Sequence, residues 1–162
     1  MRPSAFVNSL ISRRAMSPAV NDPTTAVNCI QYLQAVFEHL ARRALPSAIH
    51  RFSDGSSVLV MRYRTFHEYL QVCIEIGRVT TDNARVADAL LAALEATTRI
   101  ALEEGKERLP LLGAMAEAIA HPAIEDARTD LDRTLLVERL KRIEQMTQIR
   151  TEDISRAEQT SV

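Results

Sequence analysis

The stretch Asn21-Asp22-Pro23-Thr24-Thr25, which precedes a long amphipathic run, is the strongest constraint on how this chain can fold. Asp is a residue typical of helix N-caps, and Pro23 suits the first helical position because its missing N–H would have no partner there. Just upstream, the Ser17-Pro18 step disfavours helix, since a proline ring restricts the residue before it. The stretch therefore predicts a tight corner between two helices, the second running over about residues 23–43.

Other helices are indicated by apolar residues at helical spacing and by capping patterns. A short helix is predicted over residues 4–15, and its expected apolar face consists of Phe6, Val7, Leu10 and Ile11. Three later starts are predicted, at Thr65 with Glu68, at Asp82, and at Thr129 with Asp132. A helix over about 108–120 is expected to close at His121-Pro122, because proline is usually found just beyond a helix end.

Between about residues 50 and 63 the hydrophobic period changes from helical to alternating. Asp54-Gly55 is a turn dipeptide typical of two-residue hairpins, and Val58–Met61 follows as a second strand. The predicted fold class is therefore mainly α, a bundle-like domain of about six helices with a small β-hairpin insert at about 50–63. Residues 1–150 are predicted to form a single soluble domain, and the polar residues 151–162 are expected to fray.

The charge distribution is uneven, although the net charge is only −1. Residues 1–80 carry nine basic and five acidic side chains, a net of +4, and residues 81–162 carry eleven and sixteen, a net of −5. Since no global positive field is present, no nucleic-acid partner is expected. The asymmetry leaves two interpretations open, solvated charge without a role, or a basic half that faces an anionic surface.

The corner residues themselves have two interpretations. In the first, Asp22 caps the helix, Pro23 initiates it and Asn21 holds a turn, which accounts for most of the motif. In the second, the helix N-terminus binds a small anion. The candidate ligand-binding residues are Arg13, Arg14, Ser17, Asn21, Asp22, Thr24 and Thr25.

No catalytic residue, metal site or cofactor is predicted. The four histidines lack the spacing of metal ligands, and His67-Glu68 has Gln71 where a zinc-binding motif needs its second histidine. Cys29 and Cys73 lie singly in apolar runs, which favours buried reduced thiols, although a bridge between them stays open. The chain lacks the roughly 18 consecutive apolar residues that a membrane-spanning helix needs.

The corner and its flanks resemble the signature of a bacterial family of predicted membrane proteins, domain of unknown function 2254. The matching residues are Arg14, Ala15, Ser17, Pro18, Asn21, Asp22, Pro23, Thr25 and Ala26. The resemblance implies several transmembrane helices ahead of this region in family members, so that this chain is either their C-terminal soluble region or a truncated family member. It also implies a full-length protein in the bacterial inner membrane with this domain in the cytoplasm.

Three functions from different classes follow, in order of preference. The first is a non-catalytic assembly or regulatory domain of a bacterial membrane protein, forming a homo-oligomer and joined to the membrane through segments absent from this chain. The second is a domain that senses a small anion or other ligand at the Ser17–Thr25 loop. The least favoured is an enzyme with a site built from Arg14, Asn21 and Asp22.

Overall fold

A computed structural model describes residues 5–16, 22–45, 49–51, 58–60 and 63–159, with side chains described from residue 10 to residue 148 except at 50–51 and 58–59. Over these residues the chain forms six α-helices, which confirms the prediction of a mainly helical fold. They are α1 (Ala5–Ala15), α2 (Pro23–Ala41), α3 (Phe66–Arg78), α4 (Ala84–Glu104), α5 (Leu109–Glu125) and α6 (Asp130–Gln159). A single 3-10 turn, Lys106–Arg108, leads directly into α5.

Two three-residue strands lie between α2 and α3. Strand β1 (Ile49–Arg51) pairs antiparallel with β2 (Val58–Val60), with Ile49 opposite Val60. The Asp54-Gly55 turn predicted to join them lies outside the described residues. The hairpin insert at about 50–63 therefore stays a prediction, and the helical class does not depend on it.

Helix α4 forms the centre of the domain, because it packs against α2, α5 and α6. Its sequence suits this position, since apolar and small residues occur on nearly every side of the helix. Thr97 and Thr98 are also buried, and their hydroxyls donate to backbone carbonyls one turn earlier at 2.7 and 2.8 Å. The largest fully buried side chains are Phe37, Ile30, Leu33, Leu70, Ile76, Leu90, Leu91, Leu94, Leu112, Leu136, Ile143 and Val86.

Three helix starts follow the predicted chemistry. Asp22 caps α2, and Thr65 caps α3 in a capping box whose second half is Glu68. At the start of α6 the Thr129 hydroxyl accepts from the backbone N–H of Asp132 at 3.1 Å. The prediction for α4 was wrong by one residue, because Asn83 caps it through a 3.2 Å bond from the N–H of Val86. The carboxylate of Asp82 instead accepts from Arg128 at 3.2 Å.

Two other predictions were wrong. Leu10 and Ile11 on α1 are exposed, because the side of α1 that α2 and α3 cover is centred on Ser12 and Ala15, which are buried together with the following Met16. Helix α5 does not close at His121-Pro122 but continues to Glu125. Proline removes one backbone donor, and burial of Ala123 in the core holds the final turn in place.

Helix α6 continues beyond the predicted domain end, as far as Gln159, so the division at residue 150 stays a prediction. Its apolar face, Leu136, Leu140 and Ile143, is buried as the periodicity predicted. Among the described helices, none has an apolar stretch long enough to cross a bilayer.

Candidate functional site

The α1–α2 corner is closed by Asp22. One carboxylate oxygen accepts from the backbone N–H of Thr25 at 3.1 Å, and the other accepts from the Thr25 hydroxyl at 2.5 Å. The backbone N–H of Asp22 donates to the carbonyl of Ala15 at 2.6 Å, which fixes the turn between the helices. Both the predicted N-cap and the predicted first helical residue, Pro23, are confirmed.

The pKa of the Asp22 carboxyl lies below its ordinary value. The largest cause is the hydrogen bond from the Thr25 hydroxyl, followed by the backbone N–H of Thr25, while that of Thr24 contributes less. The carboxylate is therefore negative at neutral pH and sits at the positive end of the α2 dipole, where a negative charge is favourable. A second anion at this helix end would meet a like charge.

The other predicted ligand-binding residues are not all gathered at the corner. Arg13 is exposed and donates to a carboxylate oxygen of Glu75 on α3 at 3.2 Å. Arg14 and Thr24 are exposed. Ser17 and Asn21 lie outside the described residues. The structure thus joins Asp22 to Thr25 and directs Arg13 toward α3, and ligand binding at the corner stays a prediction.

Arg108 has a role that no sequence pattern indicated. One terminal guanidinium nitrogen donates to the carbonyl of Leu40 at 2.5 Å, and the other donates to the carbonyl of Arg43 at 2.6 Å. The guanidinium also lies 4.9 Å from the ring centroid of Phe66, the first residue of α3. A buried cation therefore satisfies the free carbonyls at the C-terminus of α2, where the helix dipole favours positive charge. No local spacing marks this role, because both carbonyls belong to residues more than 60 positions away.

Gly105 allows the C-terminus of α4 to approach the C-terminus of α2 closely. A Cβ at this position would lie 2.9 Å from the carbonyl oxygen of Ala41, closer than real Cβ contacts occur. The obstruction is backbone, which cannot rotate away as a flexible side chain can. The C-terminus of α4 consequently meets the C-terminus of α2 without an intervening side chain.

A charged network joins α4 to α6. The buried carboxylate of Glu95 accepts from Arg99 at 2.5 Å and from Arg139 at 2.9 Å, and Arg142 approaches to 3.4 Å. Arg139 also donates to both oxygens of Asp88, at 2.5 and 3.2 Å. Burial disfavours the charged form of Arg139, but the hydrogen bonds and charges of Asp88 and Glu95 outweigh it and raise the pKa. The Glu95 carboxylate therefore has a structural role, because its ion pairs with Arg139 and Arg142 join α4 to α6.

A polar groove lies where α4 and α6 begin. Its volume is about 280 Å³, and it is lined by Asp82, Asn83, Ala84, Arg85, Arg128 and Asp132. The amide of Asn83 is used in capping and Arg128 is paired with Asp82, so most of the polar groups are already engaged. Two arginines and two aspartates cancel in charge, which gives the groove no preference for an anion or a cation.

The cysteines are not suited to nucleophilic chemistry. Both are free and buried, which confirms the predicted reduced thiols. Burial raises the pKa of Cys73 to about 12, so this thiol stays protonated at neutral pH. Within the part of the chain that the structure describes, no three His, Cys, Asp or Glu side chains come together as metal ligands would.

Comparisons with known proteins connect the corner to a family. Residues 9–96, which include the corner and the chain as far as the middle of α4, match the model of the family described as Predicted membrane protein (DUF2254). Uncharacterised proteins of Mycobacterium bovis and of two Mycobacterium tuberculosis strains are 40% identical over 90 residues, which is 55% of this chain and 17% of each relative. The chain thus corresponds to a small part of those relatives. No solved structure matches it.

Proposed function

We propose, from the premise that this chain belongs to the DUF2254 family of predicted membrane proteins, that it serves as a non-catalytic assembly or regulatory domain of a bacterial membrane protein. The domain forms homo-oligomers, lies on the cytoplasmic side of the inner membrane, and is joined to it through segments outside this chain. Because the matched region covers 17% of each relative, the proposal concerns this domain and not an activity of the whole protein.

The observation that carries the proposal is a pair of exposed leucines on α6. Leu131 is 71% exposed and Leu135 is 47% exposed. Residues four apart lie on the same helix face, so the two side chains form one apolar surface, called here the α6 leucine pair. Single exposed leucines are common, whereas two on successive turns suit helix-to-helix contact. A two-fold arrangement would place this face of one copy against the same face of another.

The engagement of the reactive groups supports a non-catalytic domain. Both carboxylate oxygens of Asp22 accept hydrogen bonds from Thr25, and the carboxylate of Glu95 is held by arginines. The thiol of Cys73 is buried and protonated. These groups would have to leave stabilising contacts before they could act on a substrate.

The test is the mass of the chain in solution, measured by light scattering. We expect a multiple of the 18.1 kDa chain mass, and we expect the Leu131→Gln/Leu135→Gln double variant to give a monomer. Gln is a good helix former, so the variant preserves α6. The control is Tyr32→Gln, which removes an exposed aromatic from α2 and should leave the mass unchanged. A wild-type monomer at all concentrations contradicts assembly, and an oligomeric double variant contradicts the role of the α6 leucine pair.

The alternative, a ligand-sensing domain at the Ser17–Thr25 loop, has less support because Asp22 places a negative charge at this helix end. It is tested separately by thermal unfolding with inorganic phosphate, nucleotides and divalent cations. A ligand that binds the native state must raise the melting temperature. No rise with any of these compounds counts against the alternative.

A further inference from the structure

We propose that the partner of the α6 leucine pair is a second copy of this chain whose α6 runs in the opposite direction. In this antiparallel pair, Arg128 of each copy meets Glu138 of the other copy. The inference rests on the proposed function for self-association. It adds the direction of the two helices, their register and the charged contacts that select the partner.

The spacing of four residues carries the inference. Arg128, Leu131, Leu135 and Glu138 are separated by three, four and three positions, so the series has the same spacing in both directions. Alternating steps of three and four are typical of helices that pack side by side, because they keep the contacting residues on one side of the helix. With a basic residue at one end and an acidic residue at the other, the segment is complementary to its own reverse.

The structure exposes the part of this series that lies on α6. Leu131 and Leu135 are 71% and 47% exposed, and Glu138 is exposed one turn further along. With about 3.6 residues per turn, these three residues lie within an arc of about 60°. The buried residues Leu136 and Leu140 lie outside that arc. The three side chains therefore form one continuous face that is available to a second helix.

Arg128 lies at the N-terminal end of this face. It precedes the capping residue Thr129, and its side chain is 75% exposed. Its guanidinium donates to Asp82 at 3.2 Å, and it lines the polar groove together with Asp132, so the cation lies beside the first turn of α6. The pair with Asp82 is weak because both side chains are exposed. A guanidinium has five N–H donors, so Arg128 can bind a second carboxylate as well.

A two-fold axis midway between Leu131 and Leu135 brings the charges together. It places Leu131 of one copy against Leu135 of the other, and Glu138 against Arg128 at both ends of the contact. Ten residues separate Arg128 from Glu138, so the contact extends for about 15 Å along the helices. The carboxylate of Glu138 forms no ion pair with any other described residue, and this register supplies one.

A parallel pair of α6 helices does not suit the same residues. It would place Arg128 against Arg128 and Glu138 against Glu138, and contacts between like charges oppose association. Arg142, one turn beyond Glu138 on the same side, would also meet its own copy. In the antiparallel pair Arg142 lies beyond the start of the other α6, so it can keep its 3.4 Å contact with Glu95.

The experiment measures the dimer dissociation constant of the full chain by sedimentation equilibrium, with circular dichroism to check that each variant is folded. We expect Glu138→Arg and Arg128→Glu each to weaken the dimer about ten-fold, because two contacts in every dimer become repulsive. The double variant Arg128→Glu/Glu138→Arg exchanges the charges and should restore wild-type association. In a parallel pair the single variants would leave the dissociation constant unchanged, because like charges already meet there.

Two controls should keep the wild-type dissociation constant. Glu104→Arg makes the same change of charge at an exposed residue of α4, about 30 Å along that helix from the groove where α4 and α6 begin. A weaker dimer in this variant would show that net charge, and not the proposed contact, controls association. Asp82→Asn removes the internal partner of Arg128 without altering the contact. A loss equal to that of Arg128→Glu would overturn the role of Arg128.

Wild-type association by Glu138→Arg, or a double variant that binds no more tightly than the single ones, overturns the inference. Such a result leaves the proposed function intact, provided that the wild type still associates through the α6 leucine pair. A wild type that is monomeric at every concentration instead refutes assembly itself and leaves this face to a different partner.

Discussion

Replacement of Arg108 by alanine tests the contact that joins the end of α2 to the start of α3. The substitution removes two hydrogen bonds from a charged donor to the carbonyls of Leu40 and Arg43 and the contact with the Phe66 ring. A hydrogen bond to a charged group contributes about 1.5–3 kcal/mol, and a cation–π contact contributes about 0.5 kcal/mol at an exposed site and about 2 kcal/mol when desolvated. Because water can reach carbonyls at a helix end, we take the lower values and expect a loss of about 3–4 kcal/mol.

The assay is urea denaturation followed by far-ultraviolet circular dichroism. With a denaturant dependence of about 2 kcal/mol per molar urea, the loss corresponds to a midpoint lowered by about 1.5–2 M. Arg108→Lys keeps the charge but not the fork that reaches both carbonyls, so we expect about half the loss. Arg85→Ala, at an exposed arginine that forms no ion pair with any described residue, should change stability by less than about 0.5 kcal/mol. A midpoint of Arg108→Ala equal to that of Arg85→Ala, or a fully stable Arg108→Lys, would refute this reasoning.

Three further substitutions are measured by the same denaturation assay. Glu95→Gln should cost about 2–3 kcal/mol, because it removes the charge of a buried carboxylate that holds Arg139, and an unchanged midpoint contradicts this. Gly105→Ala should destabilise by about 1–3 kcal/mol, because its Cβ would press on the backbone of Ala41, and a stabilised variant would show that the contact relaxes. Asp22→Asn should be less stable than wild type at pH 7. Since the folded pKa of Asp22 is lowered, this difference should persist above the ordinary Asp pKa of about 4 and vanish as the pH falls through the folded value. A stability difference between Asp22→Asn and wild type that does not vary with pH would contradict the lowered pKa of Asp22.

The helix starts were predictable because their chemistry is local. Asp22, Thr65 and Thr129 each bond to a backbone N–H three residues later, so the pattern that predicts the cap contains both partners. At α4 the pattern was ambiguous, since Asp82 and Asn83 are both good caps and sequence does not decide between neighbours. The buried stripes of α2 and α3 were predictable for a related reason, because each helix has one predominantly apolar side.

Features that depend on packing were not predictable from the sequence. The exposure of Leu10 and Ile11 follows from which side of α1 is covered, and helical period does not contain that information. Pro122 lies within α5 because the core holds the turn that follows it. Arg108 reaches the carbonyls of Leu40 and Arg43, and Arg139 reaches Glu95, across 44–68 residues of chain, so no local motif indicates these contacts.

The candidate site was located in part. The sequence marked the α1–α2 corner, and the structure assigns Asp22 and Thr25 there to helix capping. The surface that carries the proposed function, the α6 leucine pair, is ordinary in sequence. It becomes distinct only when the fold shows that these two neighbouring apolar side chains are left uncovered.

Sedimentation equilibrium of the purified chain over a wide concentration series tests the central claim, that this is an assembly domain, most directly. The account predicts an average mass that rises from 18.1 kDa to an integer multiple of it as concentration increases. A mass that stays at 18.1 kDa at every concentration would contradict it.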